Sequence, residues 1–433
     1  MLNNARSVKA RLFIMFAGCL AGLLLTEGLL VTHRVIKYGH VGWSELIAIR
    51  RKLPDDVIGG VGDRWENRLV LHPLFGYTYN PKDKDINNFG FHTRQHISLA
   101  ECGYFFKNVS NKESLIIGIF GGSFAEMTGG EAEYLEKQLH DVLPSRKPIV
   151  VNFAIGGHAL PQSAFIYLYF RQLFDIAVFV DGLNELWNYV ENNRAGLPPE
   201  YAKGIHYIYK LSRQELTPIQ FRRTSRIISL KDRINAITTL SLLPILKYSV
   251  FVHHVWGALQ IYWTRNIAEE SLAITKSYDA NKNFFDTPDD TILDLAALEW
   301  ASYHDLIHHA AGAQSAISIH LLQPNPFVPN SKILTPEEHR AVTNSYPIND
   351  YVMTGYPKLQ ARIRALRALG LIAEDLTDIF KTTAGAVWVD AAHTNQTGSR
   401  MVMDRIARLI KSNKDLVKAK PLHSEVKCRS SAT

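Results

Sequence analysis

Residues able to carry acyl-transfer chemistry stand at four places in this chain. Ser123 follows Gly121 and Gly122, and a serine hydroxyl becomes a nucleophile once a base takes its proton. Asp390 and His393 are three residues apart. In that spacing the imidazole is the base and later protonates a leaving alcohol, while the carboxylate fixes its tautomer and stabilises the charged ring. Gly157, closing the segment that begins at Asn152, offers a backbone N–H that no Cβ obstructs. Asn184, in Gly182-Leu183-Asn184-Glu185, offers a side-chain amide. With the Ser123 N–H, these make three donors for the oxyanion of a tetrahedral intermediate. Singly, each has an ordinary structural role: a glycine-serine turn, a surface Asp-x-x-His turn, a helix-capping asparagine.

The surrounding pattern predicts the elements that must hold them. Leu115 to Ile119, interrupted only by Gly118, reads as a buried parallel strand running into the Gly121-Gly122 turn, with Ser123 at a helix start. Pro148–Phe153, Asp175–Val180, Ala316–Leu322 and Ala386–Val389 read as four further strands. Helical spacing follows at Ala125–Leu143, interrupted by Gly129-Gly130, and at Ser163–Phe174 and Gln396–Ile410. Alternating strands and helices predict an α/β fold, a doubly wound, flavodoxin-like parallel sheet of five strands with ligands at the carboxyl ends.

Ordered along the chain, Gly121-Gly122-Ser123, Asn152 to Gly157, Gly182 to Glu185 and Asp390-x-x-His393 resemble the four blocks of the SGNH/GDSL hydrolase superfamily, over roughly residues 70 to 412. The run GGS, DGxNE, LQP and DxxHxxxxG is most similar to its membrane-anchored bacterial branch. The resemblance places Ser123 on the nucleophile, Gly157 and Asn184 on the oxyanion donors beside the Ser123 N–H, and Asp390 and His393 on the base pair. It implies the SGNH hydrolase fold and no cofactor or metal. Gly122 stands where the family name has Asp, and Glu185 where Asp is commoner. Gly121 to Ala125 also invites comparison with the nucleophile elbow of α/β-hydrolases. That elbow follows several strands, whereas Ser123 follows the first strong one.

Composition and termini complete the expectation. Apolar content of 46% and charged content of 21% exclude wholesale disorder. The net charge of +7 comes with scattered basic residues and no nucleic-acid-binding signature. Three cysteines (Cys19, Cys102, Cys428) make neither a disulfide framework nor a zinc site. Leu12 to Thr32 is a run of 21 residues whose only charge is Glu27, preceded by Arg6, Lys9 and Arg11. It predicts an uncleaved transmembrane signal anchor after a cytoplasmic segment 1–11. Residues 33–110 become a juxtamembrane lead-in, 111–412 the hydrolase-like domain with a helical insertion at 195–312, and 413–433 a basic tail. Arg34, Lys37 and Arg50 to Lys52 bring the basic bias across the span close to a tie. The usage of single anchors places the catalytic mass outside the cytoplasm, in the periplasm if the cell is Gram-negative.

Within the insertion, Tyr248, Phe251, Val252, Val255, Trp256, Leu259, Tyr262 and Trp263 predict one apolar helix face, packed on the sheet or capping the site. His304 and His308 have metal-ligand spacing, but without a third ligand they read as a polar helix face. The whole points to a membrane-anchored serine esterase acting on O-acyl or O-acetyl esters of a small molecule, lipid or polysaccharide. The alternatives are acetyl transfer onto or off envelope polysaccharide, lysophospholipid hydrolysis, and a non-catalytic envelope scaffold.

Overall fold

The computed structural model describes residues 2–57, 69–100, 103–109, 113–140, 146–194, 196–201, 217–279, 285, 287–343 and 348–418. Cys102, Cys428 and the tail beyond 418 lie outside them. The chain divides into two compact units, one of residues 1–68 with 216–277, the other of residues 69–215 with 278–433.

The larger unit opens with two antiparallel hairpins, β1 (Leu69–His72) with β2 (Gly76–Tyr79) and β3 (Ile97–Ala100) with β4 (Gly103–Phe106). Then come the five strands of one parallel sheet: β5 (Ser114–Gly121), β6 (Lys147–Asn152), β7 (Ile176–Asp181), β8 (Ile317–Leu322) and β9 (Ile372–Asp375). Their order, β6-β5-β7-β8-β9, is flavodoxin-like, and every pairing is parallel. Every residue of β5, β7 and β8 is buried, as a sheet covered by helices on both faces requires. The lead-in aromatics Phe75, Phe91 and Phe106 are buried in the same core; Phe91 stacks on Phe153 with ring centroids 4.2 Å apart. The part of the expected lead-in from Leu69 onward therefore shares one core with the sheet, while residues 33–68 fall in the other unit.

One strand differs from expectation. The fifth strand is Ile372–Asp375, and Ala386–Val389 makes only an isolated bridge between Trp388 and Thr394. Its apolar side chains are buried at Val387 and Trp388, so the pattern reported burial correctly and pairing incorrectly. β9 was hidden because it is short, only one of its residues is buried, and it ends Glu374-Asp375.

The smaller unit is helical: Leu2–Tyr38, Trp43–Val57, Pro218–Ser241 and Val250–Asp279. The expected insertion is thus split. Residues 216–277 join the N-terminal helices, while the helix Asp289–Ala313 belongs with the sheet. The expected single apolar face is not one buried face, for Trp256 is 2% exposed while Tyr248 and Tyr262 are 52% and 62% exposed. Two charges tie this unit together. The Glu27 carboxylate accepts hydrogen bonds from Ser249 Oγ (2.7 Å), Val250 N (2.7 Å) and Phe251 N (2.9 Å), neutralising the helix start there. Arg50, fully buried, donates to the carbonyls of Leu46, Ser241 and Lys247. A continuous helix covers residues 12–32, but no helix among the described residues is long and apolar enough to cross a membrane.

Arg50→Met should leave the buried Ser241 carbonyl without this donor, at a cost of about 1–3 kcal/mol. Amide exchange in Pro218–Ser241 and Val250–Asp279 should speed up, with β5 and β7 unchanged. Unchanged helix protection would contradict this role for Arg50.

Candidate active site

Ser123 is the first residue of the helix Ser123–Gly129, directly beyond β5. Gly121 has φ +141°, and a Cβ there would lie 2.3 Å from the Val180 carbonyl oxygen. Gly122 has an ordinary φ of −87°, so its requirement is space: a Cβ would meet Asn184 Nδ2 at 2.2 Å and the His158 carbonyl at 2.8 Å. The missing side chain at 122 is what lets the Asn184 amide come up beside the serine turn. Asn184 Nδ2 donates to the His158 carbonyl at 2.7 Å. Gly157 turns the chain there with φ +80°. The blocks holding Ser123, Gly157 and Asn184 therefore meet, at the carboxyl ends of neighbouring strands.

His393 arrives from the other end of the chain. Its Nε2 is 2.7 Å from Ser123 Oγ, and its Nδ1 is 2.8 Å and 3.0 Å from the Asp390 oxygens. Asp390 also accepts the backbone N–H groups of Ala392 and His393, each at 2.8 Å. Burial would raise the Asp390 carboxyl, but the His393 ring and these two amides outweigh it and hold it below its usual range. An ionised carboxylate only accepts, so Nδ1 carries the ring proton and Nε2 accepts from the serine hydroxyl. The His393 and Asp390 side chains are 17% and 25% exposed, shielded yet reachable.

Several supporting residues were not legible in the sequence. Glu185 is 1% exposed and accepts from Gly182 N and Leu160 N, each at 2.7 Å, joining the loop after Gly157 to the turn before Asn184. The longer arm explains glutamate at this position. Burial, and then the Asp181 carboxylate, push its pKa up. Tyr77 donates to the Gly156 carbonyl at 2.8 Å and packs edge-on against the buried His158 ring. Burial pushes His158 down to about 3, so that ring is neutral. Tyr79 and His92 reach Glu126, one turn beyond Ser123, at 2.7 Å and 3.2 Å. The lead-in aromatics set among Gly and Asn were the only signal for these contacts. His304 is fully buried rather than on a polar helix face, with its ring nitrogens bonded to Asp181 and His320.

The Asp390–His393 turn is held from below by Glu338. This fully buried carboxylate accepts Lys332 Nζ (2.7 Å), Thr335 N (2.8 Å), Val387 N (2.8 Å) and Trp388 N (3.0 Å). Asn325 adds a bond to the Ala391 carbonyl at 3.1 Å. Burial raises the Glu338 pKa, but Lys332 and the three amides win and push it down to about 2 from an ordinary 4.5. A depressed acid stabilises the fold fully above its unfolded pKa, and that contribution fades as pH falls through the folded value. Glu338→Gln should therefore cost about 3 kcal/mol near neutral pH, and the deficit should shrink as pH falls from about 4.5 towards about 2. Denaturant titrations of both proteins across that range measure it; a deficit independent of pH would contradict the assignment.

No protein-family model matches the chain, and no curated protein matches it.

Proposed function

We propose that this protein is a serine esterase of SGNH type, anchored in a membrane by residues 12–32 with the sheet-bearing unit outside the cytoplasm. The observation that carries the reading is the continuous hydrogen-bonded series Asp390, His393, Ser123 at the carboxyl edge of a flavodoxin-like sheet. The serine proton passes to His393 Nε2 as Oγ attacks an ester carbonyl, and the imidazolium forms against Asp390. The oxyanion is received by the N–H groups of Ser123 and Gly157 and by the Asn184 amide. His393 then protonates the leaving alcohol, and water or another hydroxyl takes the acyl group from Ser123. Transfer to a sugar hydroxyl uses the same apparatus, and the anchor run in the sequence favours acceptors of the cell envelope as the second reading. Membrane attachment rests on that apolar run of the sequence.

The test is turnover of p-nitrophenyl esters, from acetyl to decanoyl, by the full chain in detergent. Ser123→Ala should abolish it and Asp390→Asn should lower it by about 10⁴. Gly122→Ala should displace the Asn184 amide and act like Asn184→Ala, each costing about 10²–10³ in rate with the fold intact. Turnover by Ser123→Ala equal to that of the unaltered chain would falsify the nucleophile.

A further inference from the structure

Behind the candidate site, a file of polar side chains crosses the dry interior of the larger unit. His308 and His304 lie on the helix Asp289–Ala313, Ser318 and His320 on β8, and Asp181 at the end of β7. His308 Nδ1 is 3.3 Å from Ser318 Oγ, which is 2.9 Å from His320 Nε2. His320 Nδ1 is 2.7 Å from His304 Nδ1, and His304 Nε2 is 3.1 Å from Asp181 Oδ1. His304 and His320 are wholly buried, Ser318 is 4% exposed, and His308 is half-buried. Phe179 and Trp300 wall the two inner rings.

Two ring nitrogens in direct contact share one proton, which leaves two self-consistent arrangements. In the first, His304 is neutral and every donor points inward: His308 Nδ1–H to Ser318, Ser318 O–H to His320 Nε2, His320 Nδ1–H to His304 Nδ1, His304 Nε2–H to Asp181. In the second, His304 carries both ring protons against the Asp181 carboxylate, and the three outer bonds point the other way. Each arrangement gives every hydrogen bond of the file one donor and one acceptor, while Asp181 Oδ2 stays buried without a partner among the described residues in both.

We propose that His308, Ser318, His320 and His304 form a proton path that carries a proton from the half-buried His308 ring to the buried His304–Asp181 pair. A proton taken up on His308 Nε2 is matched by loss of the Nδ1 proton to Ser318 Oγ. Ser318 passes its own proton to His320 Nε2, and the His320 Nδ1 proton moves to His304 Nδ1. Each hop breaks one N–H or O–H bond and makes one. The end state is a neutral His308 and a His304 imidazolium paired with Asp181.

The packed elements bring other titratable groups towards this pair: Glu185 and Tyr189 from the helix Leu183–Arg194, Tyr356 from Asn349–Ala368, and Tyr167 from Gln162–Phe170. Burial keeps the three tyrosines neutral phenols. Burial, then the charges of His304 and His308, hold His320 well below its ordinary range, so it relays the proton without keeping it. Glu185, raised in part by Asp181, feels the Asp181 charge neutralised when His304 is protonated. The path thereby links solvent at the outer face of the unit to the carboxylates beneath Asn184, and it stands whether or not Ser123 is a nucleophile.

Long-range proton–nitrogen spectra of the full chain labelled with ¹⁵N-histidine test this. As the pH falls through the range of His308, which burial sets below its ordinary value, His320 should exchange Nδ1–H for Nε2–H in step with the appearance of a second ring proton on His304. Ser318→Ala should slow solvent exchange of the His304 and His320 ring protons many-fold, while the Trp300 indole N–H signal, which reports its bond to Asp181, stays in place. Should Ser318→Ala fail to fold, His308→Gln at the outer end gives the same readout. A His304 that never carries a second ring proton, a His320 tautomer that stays constant when it does, or a Ser318→Ala chain whose ring protons exchange as fast as those of the unaltered one would each overturn the path.

Discussion

Ser123 Oγ and His393 Nε2 are 2.7 Å apart in space and 270 residues apart in sequence, and the fold is organised to keep that contact. The parallel register is the first constraint. Gly121 of β5 lies opposite Val180 of β7, so the turns carrying Ser123 and Asn184 leave the sheet side by side. This is the point where the strand order reverses, since β5 connects onward to β6 on one side and pairs with β7 on the other. The glycines at 121 and 122 then allow an approach that any Cβ would block.

Buried carboxylates are the second constraint. A lone ionised group in a dry interior is costly unless its oxygens are satisfied. Glu338 meets that condition with Lys332 and backbone amides from separate segments, and Glu185, whose pKa burial pushes up to about 8, gathers backbone amides from two separate loops. Glu185 joins the loop after Gly157 to the loop before Asn184, and Glu338 joins the segment at Thr335 to the segment entering Asp390. The turns carrying Asn184 and Asp390 are therefore each held by a buried glutamate that bonds to backbone amides. The same economy is visible in the smaller unit, where Glu27 and Arg50 meet the unpaired ends of helices.

Much of this was legible because the chemistry is local in sequence. Leu115–Ile119, Pro148–Phe153, Asp175–Val180 and Ala316–Leu322 read as strands since their residues are buried on both faces. Ser123 and Asn184 stood just beyond strands that the structure contains, whereas Asp390 and His393 follow a segment that is not a strand. Ala386–Val389 misled because Val387 and Trp388 are buried in the same core as the sheet while their backbone amides go to Glu338 rather than to a strand. Periodicity cannot separate the two. The partners of residues 216–277 lie some 200 residues away at the N-terminus, beyond any local pattern. His304 was misread for a related reason: its spacing to His308 is visible in sequence, whereas its bond to His320 on a neighbouring strand is not.

The central claim is that Ser123 is an activated nucleophile, and the most direct measurement is the site of covalent attachment of a fluorophosphonate, mapped by peptide mass spectrometry on the folded full chain. The account predicts a single adduct on Ser123 that disappears when the protein is unfolded before exposure, because only the folded chain brings His393 to the serine. A folded chain that remains unlabelled, or an adduct on another serine, would contradict it.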